Sequence, residues 1–246
     1  MAHEAATARI CRGCWEQMRV PIVLRGALAA PYRLFGVRPS RMNPNICTVC
    51  EKMFEWVMRR RAIEIEATIL FADIRGYTTL TQAMDASALS RLLNFFYDEC
   101  ATAIWLHDGL LNKAIGDSVL AIFNFPLRHG DHTARALAAA RDIQSRCHER
   151  CRRELAGYGL DASELGVGVG IDRGTTTFGE FGTTHTDLTA VGQVVNRAAR
   201  LQSVAGPGEI LLSETAWQTL APTDSPPQRR EVHLKGYEAP QVAYAC

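Results

Sequence analysis

An α+β fold, a ferredoxin-like antiparallel sheet with helices on one face, is what the order of elements predicts, and three stretches carry that prediction. Thr68 to Ala72 is a nearly all-apolar run of strand length that stops at Asp73-Ile74-Arg75-Gly76, and it reads as a strand buried on both faces. Leu89, Leu92, Leu93, Phe96, Cys100 and Ile104 then recur at helical spacing, a stripe that packs on a sheet. Leu110 to Phe123, LLNKAIGDSVLAIF, is a pair of apolar runs broken at Ile115-Gly116-Asp117, the pattern of a hairpin with an acid at its tip.

In chain order, residues 1–50 form a small Cys-rich, basic module, 51–63 a helical linker and 64–246 the sheet-bearing domain. The module holds two CxxC pairs, Cys11/Cys14 and Cys47/Cys50. In a reducing compartment such pairs argue for a metal before they argue for disulfides. Tetrahedral zinc, an iron-sulfur cluster on four thiolates, and redox-active or inert thiols all stay open. No CxxCH occurs, so covalent haem is not suggested. Pro31 should break any helix between Pro21 and Gly36. Pro39, Asn43, Pro44 and Asn45 mark a loop ahead of Cys47. Met53 to Arg61 reads as a helix with Phe54, Val57 and Met58 on one face.

After the first strand a helix starts with Asp85 or Ser87 as cap, and a second long one runs from about Asp131 to Leu155. Cys100 belongs to the core, and Cys147 and Cys151 share a helix face as buried or idle thiols. Leu165 to Asp172, LGVGVGID, contains a GxGxG, but its valines alternate with glycines at period two and no helix follows. It is a thin strand that another backbone or a ligand approaches closely, ending in a turn at Arg173-Gly174. Thr175 to Phe181 is the returning strand, Glu209 to Leu212 another, and Glu231 to Tyr244 a C-terminal pair around Lys235-Gly236.

The chain has 246 residues, enough for one ordinary core and a small extra module. Its net charge of +1 hides an asymmetry, since residues 1–61 carry 11 Lys/Arg against 4 Asp/Glu, a balance of +7, and the remainder sums to −6. A basic segment of this kind suits an acidic surface, anionic lipid or nucleic acid. Too few aromatics stand among its arginines for a nucleic-acid partner to be expected. No uninterrupted run of 18 apolar residues is present, so no transmembrane segment is predicted. The N-terminus lacks the apolar core of a secretory signal, and a cytoplasmic location is expected.

Three features carry chemistry. Asp73 and Asp117 come from adjacent strands and are the minimum needed to hold two divalent ions roughly 3.5 to 4 Å apart. The turn at Ile74-Arg75-Gly76 offers backbone N–H groups that can face a phosphate. In Leu188 to Leu201, LTAVGQVVNRAARL, Asn196 and Arg200 are four apart and project from one helix face.

FADIRGYTTL, NKAIGD and LTAVGQVVNRAAR, in this order and at this separation, resemble the catalytic domain of the class III adenylate/guanylate cyclases, over roughly Glu64 to Tyr244. The resemblance implies the nucleotidyl cyclase fold. The reaction it implies is attack of a ribose 3'-hydroxyl on the α-phosphate of a nucleoside triphosphate, giving the cyclic 3',5'-monophosphate and pyrophosphate. It makes Asp73, Asp117 and the Ile74 carbonyl the ligands of two Mg²⁺ or Mn²⁺ ions. Gly76, Tyr77, Thr78 and Lys235 would meet phosphates, Arg200 the reacting phosphate and Asn196 the ribose. Gln193 stands where the family usually has Asp or Asn.

Lys113 and Thr189 match the two base-selecting positions of the family. Lys113 only donates, which suits the bare N1 of adenine, and Thr189 can accept from the adenine amine. Guanylate cyclases carry Glu and usually Cys there, so the expected substrate is ATP, with relaxed ATP/GTP choice as the alternative. The family works as head-to-tail dimers with interfacial sites, so a homodimer is expected, regulated through the cysteine module. A catalytically silent nucleotide-binding module that signals by dimerisation is the rival from a different class. It is disfavoured because Asp73, Asp117, Lys113, Asn196 and Arg200 are all present.

Overall fold

Strand β1, Ile63–Arg75, is the axis on which the sheet is assembled. It pairs antiparallel with β3 (Ser118–Phe123) on one side and with β4 (Gly166–Phe181) on the other. The structure is a computed structural model that describes residues 8–155, 166–182, 184, 186–222 and 227–246, without the side chains of 60 and 149–155. Across the sheet the order is β2 (Leu110–Ile115), β3, β1, β4, β6 (Ile210–Ser213), β8 (Gln241–Ala245) and β7 (Gln228–Val232), with β5 (Asp187–Val191) added to β4. The pair β4–β6 is parallel, and the other pairs are antiparallel. The α+β class predicted from the sequence is the one observed.

The helices are α1 (Arg12–Met18), α2 (Ala30–Leu34), α3 (Thr48–Arg60), α4 (Tyr77–Ala83), α5 (Ala86–Leu106), α6 (His132–Leu155), α7 (Gln193–Val204) and α8 (Glu214–Trp217). Asp85 caps α5 by accepting from Ala88 N at 2.8 Å, which satisfies an orphan amide of the first turn. One sheet face presents Leu70, Ala72, Val169 and Ile171 to the stripe Leu92, Phe96, Cys100 and Ile104 of α5 and to Ala136, Ala140 and Ile143 of α6. The residues between them, Ala67, Ile69 and Phe178, turn to the other face with Val194 and Ala198 of α7 and Met58 of α3. The two long helices therefore share a face, and α7 crosses the opposite one. Cys100 and Cys147 are core residues, and the Cys151 side chain and Leu165 lie outside the described residues.

Three boundaries differ from expectation. The strand placed at residues 68–72 extends from Ile63 to Arg75, because the alternating Ile63-Glu64-Ile65-Glu66 also pairs with β4. No turn occurs at Arg173-Gly174. The β1 register continues through both residues, so 166–181 is one strand and the return is β5. Pro31 does not break a helix but stands in the first turn of α2, where a missing N–H costs nothing.

The glycines of the GVGVG run have the role read from them. A Cβ on Gly170 would lie 2.2 Å from Ala198 O and from Gln202 N, because the α7 backbone rests directly on β4. Among the described residues, no helix is long and apolar enough to cross a membrane.

Candidate functional site

The β1–β3 register places Asp73 opposite Ser118, which brings Asp117, the preceding residue in the hairpin turn, alongside Asp73. Ile74 N donates to Asp117 O at 3.1 Å. Tyr97 donates its hydroxyl to Gly116 O and fixes the turn from the α5 side. The Asp73 carboxyl is pushed up to about 6, first by burial and then by the charge of Asp117, against the pull of Arg75 and a hydrogen bond from Gln202. Burial, with Tyr77 and Asp117 behind it, also raises the Tyr97 phenol. Two carboxylates that disfavour each other's charge are relieved by a cation between them, so this oxygen pair suits Mg²⁺ or Mn²⁺. Gly76, with φ 74°, leads from β1 into α4. Tyr77 is half-buried and Thr78 exposed.

A second group forms across β2 and β5. Lys113 makes an ion pair with Asp187. The Thr189 hydroxyl donates to Asn112 Oδ1 at 3.1 Å, and Asn112 Nδ2 donates to Leu188 O at 2.9 Å. A third group is on α7, where Asn196 and Arg200 are exposed. Arg197 between them faces inward and donates through Nε and Nη2 to Asp172 Oδ2 and Oδ1 at 2.7 and 3.2 Å. Asp172 is fully buried and also accepts from Ser213 and Thr215 at 2.5 and 2.9 Å. This ion pair sets the rotation of α7, and with it the direction of Asn196 and Arg200. Lys235 is exposed in the β7–β8 connection. Among the described residues, no hydrogen bond or ion pair joins Asp73 or Asp117 to Lys113, Thr189, Asn196 or Arg200.

Residues 62–245 match the family model described as the adenylate and guanylate cyclase catalytic domain. The chain belongs to this cyclase family. It is similar to an adenylate cyclase of Anabaena cylindrica, 33% identical over 162 residues, which are 64% of this chain and 31% of the relative. An uncharacterized protein of Mycobacterium tuberculosis is 34% identical over 179 residues, 71% of this chain and 31% of that protein. The chain thus spans about a third of the length of these curated relatives. Among solved structures, the guanylyl cyclase Cya2 superposes with a TM-score of 0.67 at 27% identity, over 75% of this chain and 92% of that one. The adenylyl cyclase CyaB from P. aeruginosa gives 0.66 at 28%, over 76% and 96%.

Beside this cyclase domain, the four N-terminal cysteines are buried together, their sulfurs all within 4.8 Å of one another. Cys11 caps α1 and Cys47 caps α3, each accepting from the backbone N–H three residues on, Cys14 N and Cys50 N, at 3.4 Å. Hydrogen bonds from Cys11 and Cys50 hold the Cys47 thiol down at about 2, burial pushes Cys14 up to about 12, and hydrogen bonding with Cys11 and Cys47 raises Cys50. Sequence reasoning missed the residues that support the candidate site, namely Arg75, Gln202, Asn112, Asp187 and the Asp172–Arg197 pair. Asp172 and Arg197 are far apart in sequence, and no spacing rule links a strand acid to a helix arginine across a sheet.

Proposed function

We propose that this chain is an adenylate cyclase that converts ATP to 3',5'-cyclic AMP and pyrophosphate at two equivalent sites between the protomers of a homodimer. The observation that carries the reading is the pairing of Asp73 and Asp117 in a partly buried acid pair, to which, among the described residues, Lys113, Thr189, Asn196 and Arg200 of the same chain make no hydrogen bond or ion pair. Two Mg²⁺ or Mn²⁺ ions held by Asp73, Asp117 and the Ile74 carbonyl would supply activation of the 3'-hydroxyl and neutralisation of the triphosphate. The chain's own groups do the rest. Asn196 from the other protomer orients the ribose, Arg200 stabilises charge on the reacting phosphate, and Gly76, Tyr77, Thr78 and Lys235 receive the terminal phosphates.

The choice of ATP follows from donors and acceptors. Lys113 presents donors to adenine N1. Thr189 spends its proton on Asn112, whose amide is oriented by Leu188 O. That leaves the hydroxyl oxygen as an acceptor toward the base, matched to the adenine amine and mismatched to the guanine carbonyl. The cysteine module, docked on the same strand that carries Lys113, is the regulatory element of this reading.

Mixing tests the interfacial site. Asp73→Ala and Asn196→Ala proteins, each inactive alone, should recover at most about a quarter of wild-type turnover, because half of the dimers are mixed and each holds one intact site. No recovery on mixing, with both variants folded and dimeric, would place each site within one chain. Faster turnover of GTP than of ATP would overturn the base assignment.

A further inference from the structure

We propose that Cys11, Cys14, Cys47 and Cys50 hold a single zinc ion, and that this ion locks the segment Met42–Cys47 against the open edge of β2, fixing the strand that carries Asn112 and Lys113. The base-selecting part rests on the function proposed above; the metal and the lock do not.

Sulfur spacing selects one ion over a cluster. A tetrahedral zinc with Zn–S bonds near 2.3 Å sets its sulfurs about 3.8 Å apart. Here Cys11–Cys50, Cys14–Cys47 and Cys14–Cys50 are separated by 3.7, 3.6 and 3.3 Å, and no pair exceeds 4.8 Å. In a multi-iron cluster the thiolates bind different irons and stand farther apart than a shared ion allows. The backbone donates N–H groups to sulfur from Cys14, Cys47 and Cys50, hydrogen bonds of the kind that orient thiolates around a metal.

The lock lies next to the second CxxC pair. β2 is the outermost strand of the sheet on its side, so among the described residues one edge of its backbone has no strand partner. Met42 O fills that place, accepting from Leu111 N at 3.2 Å and from Trp105 Nε1 at 2.8 Å. Asn43 and Asn45, both buried, donate to Gly109 O and to Asp108 Oδ1 at 3.0 Å each. Asp108 is in turn bound by Arg12, inside the first CxxC pair, at 2.5 Å. On the inner side, the β2–β3 register slips between Leu111 and Lys113. A bulge of this kind re-aims a side chain, and ladder pairing alone does not fix it. The residue in the slip is Asn112, the acceptor for Thr189. Its aim therefore depends on the support at Leu111, and that support is as rigid as the metal site that ends it.

The experiment uses the full chain. Elemental analysis should find one zinc per chain and no multi-iron absorption. Dialysis against a strong chelator under reducing conditions, followed by return of Mg²⁺, should speed hydrogen exchange at the Leu111 amide by about tenfold or more. The ATP/GTP ratio of kcat/KM should fall by a similar factor, roughly tenfold. Asn43→Ala should keep its zinc and still lose part of that ratio, which separates the lock from a general need for the ion in folding. Zinc-free protein with unchanged Leu111 exchange, an unchanged ATP/GTP ratio, or a multi-iron cluster in place of zinc would overturn the proposal. A protein that cyclises neither nucleotide would refute the base assignment alone, since zinc content and Leu111 exchange are read without turnover.

Discussion

Replacing Asp73 with asparagine should abolish cyclase activity and at the same time stabilise the metal-free protein. In the folded chain the Asp73 carboxyl is raised from 3.8 to about 6, mainly by burial and then by Asp117. Its side chain is 18% exposed, so solvent screens the effect only in part. At 1.36 kcal/mol per pH unit, this gap makes the charged carboxylate cost at most about 3 kcal/mol of folding free energy. The sign follows from proton binding. Between pH 3.8 and 6 the folded state holds the Asp73 proton more tightly than the unfolded chain does. The contribution of this group is therefore fully present below 3.8 and lost as pH rises through 6. Asparagine mimics the neutral form at every pH. Urea unfolding in chelator should find Asp73→Asn equal to wild type near pH 3.5 and more stable at pH 8 by up to about 3 kcal/mol, a Tm gain of roughly 6 to 12 °C. Adding Mg²⁺ with a non-cyclisable ATP analogue should stabilise wild type and leave the variant unmoved. No gain at pH 8 in chelator, or a gain that does not shrink toward acid pH, would refute the account of this acid pair.

Asp172→Ala leaves Arg197 without its carboxylate in a buried setting and should cost about 3 to 5 kcal/mol in urea unfolding, with part of the loss recovered in an Asp172→Ala/Arg197→Met double variant. In Gly170→Ala the new methyl meets the α7 backbone at 2.2 Å, contacts no side-chain rotation relieves. Stability should fall by about 1 to 3 kcal/mol, and kcat should fall because α7 moves with Asn196 and Arg200. Thr189→Val removes the acceptor toward the base and the donor to Asn112, and steady-state kinetics should record a loss of ATP-over-GTP preference of about tenfold.

The fold was legible where local pattern and tertiary role agree. The α5 stripe and the β2–β3 hairpin were found because helical and strand periods are written directly into Leu89–Ile104 and Leu110–Phe123. Asp73 and Asp117 were singled out because each ends an apolar run beside a glycine turn, and the β1–β3 register brings them side by side. β4 was split in error because Arg173-Gly174 has turn composition, and composition does not register that β1 offers an unbroken partner along that length. Pro31 misled for a related reason, since proline disrupts a helix interior and suits a helix start. Gln202 and Asp187 stayed hidden because their roles exist only between elements distant in the chain, and Arg75, two residues from Asp73, because it reads as part of a turn rather than of β1. A glutamine on α7 and an aspartate at the start of β5 carry no spacing that binds them to Asp73 or Lys113.

The supporting residues give the proposed dimer a physical logic. Arg75 lies 3.6 Å from the Asp73 carboxylate through Nη1 and donates through Nη2 to Gln202 O near the end of α7. Gln202 also donates its side chain to Asp73. In one chain, then, the acid pair that would hold the cations of one active site is tied to the helix whose Asn196 and Arg200 would serve the other. A cation that neutralises Asp73 weakens its hold on Arg75 and Gln202, and both of those groups bear on the last turn of α7. If Asn196 and Arg200 acted on the same site as Asp73, this contact would only stiffen one pocket. With the halves contributed by different protomers, it becomes a path by which filling one site alters the grip of its twin.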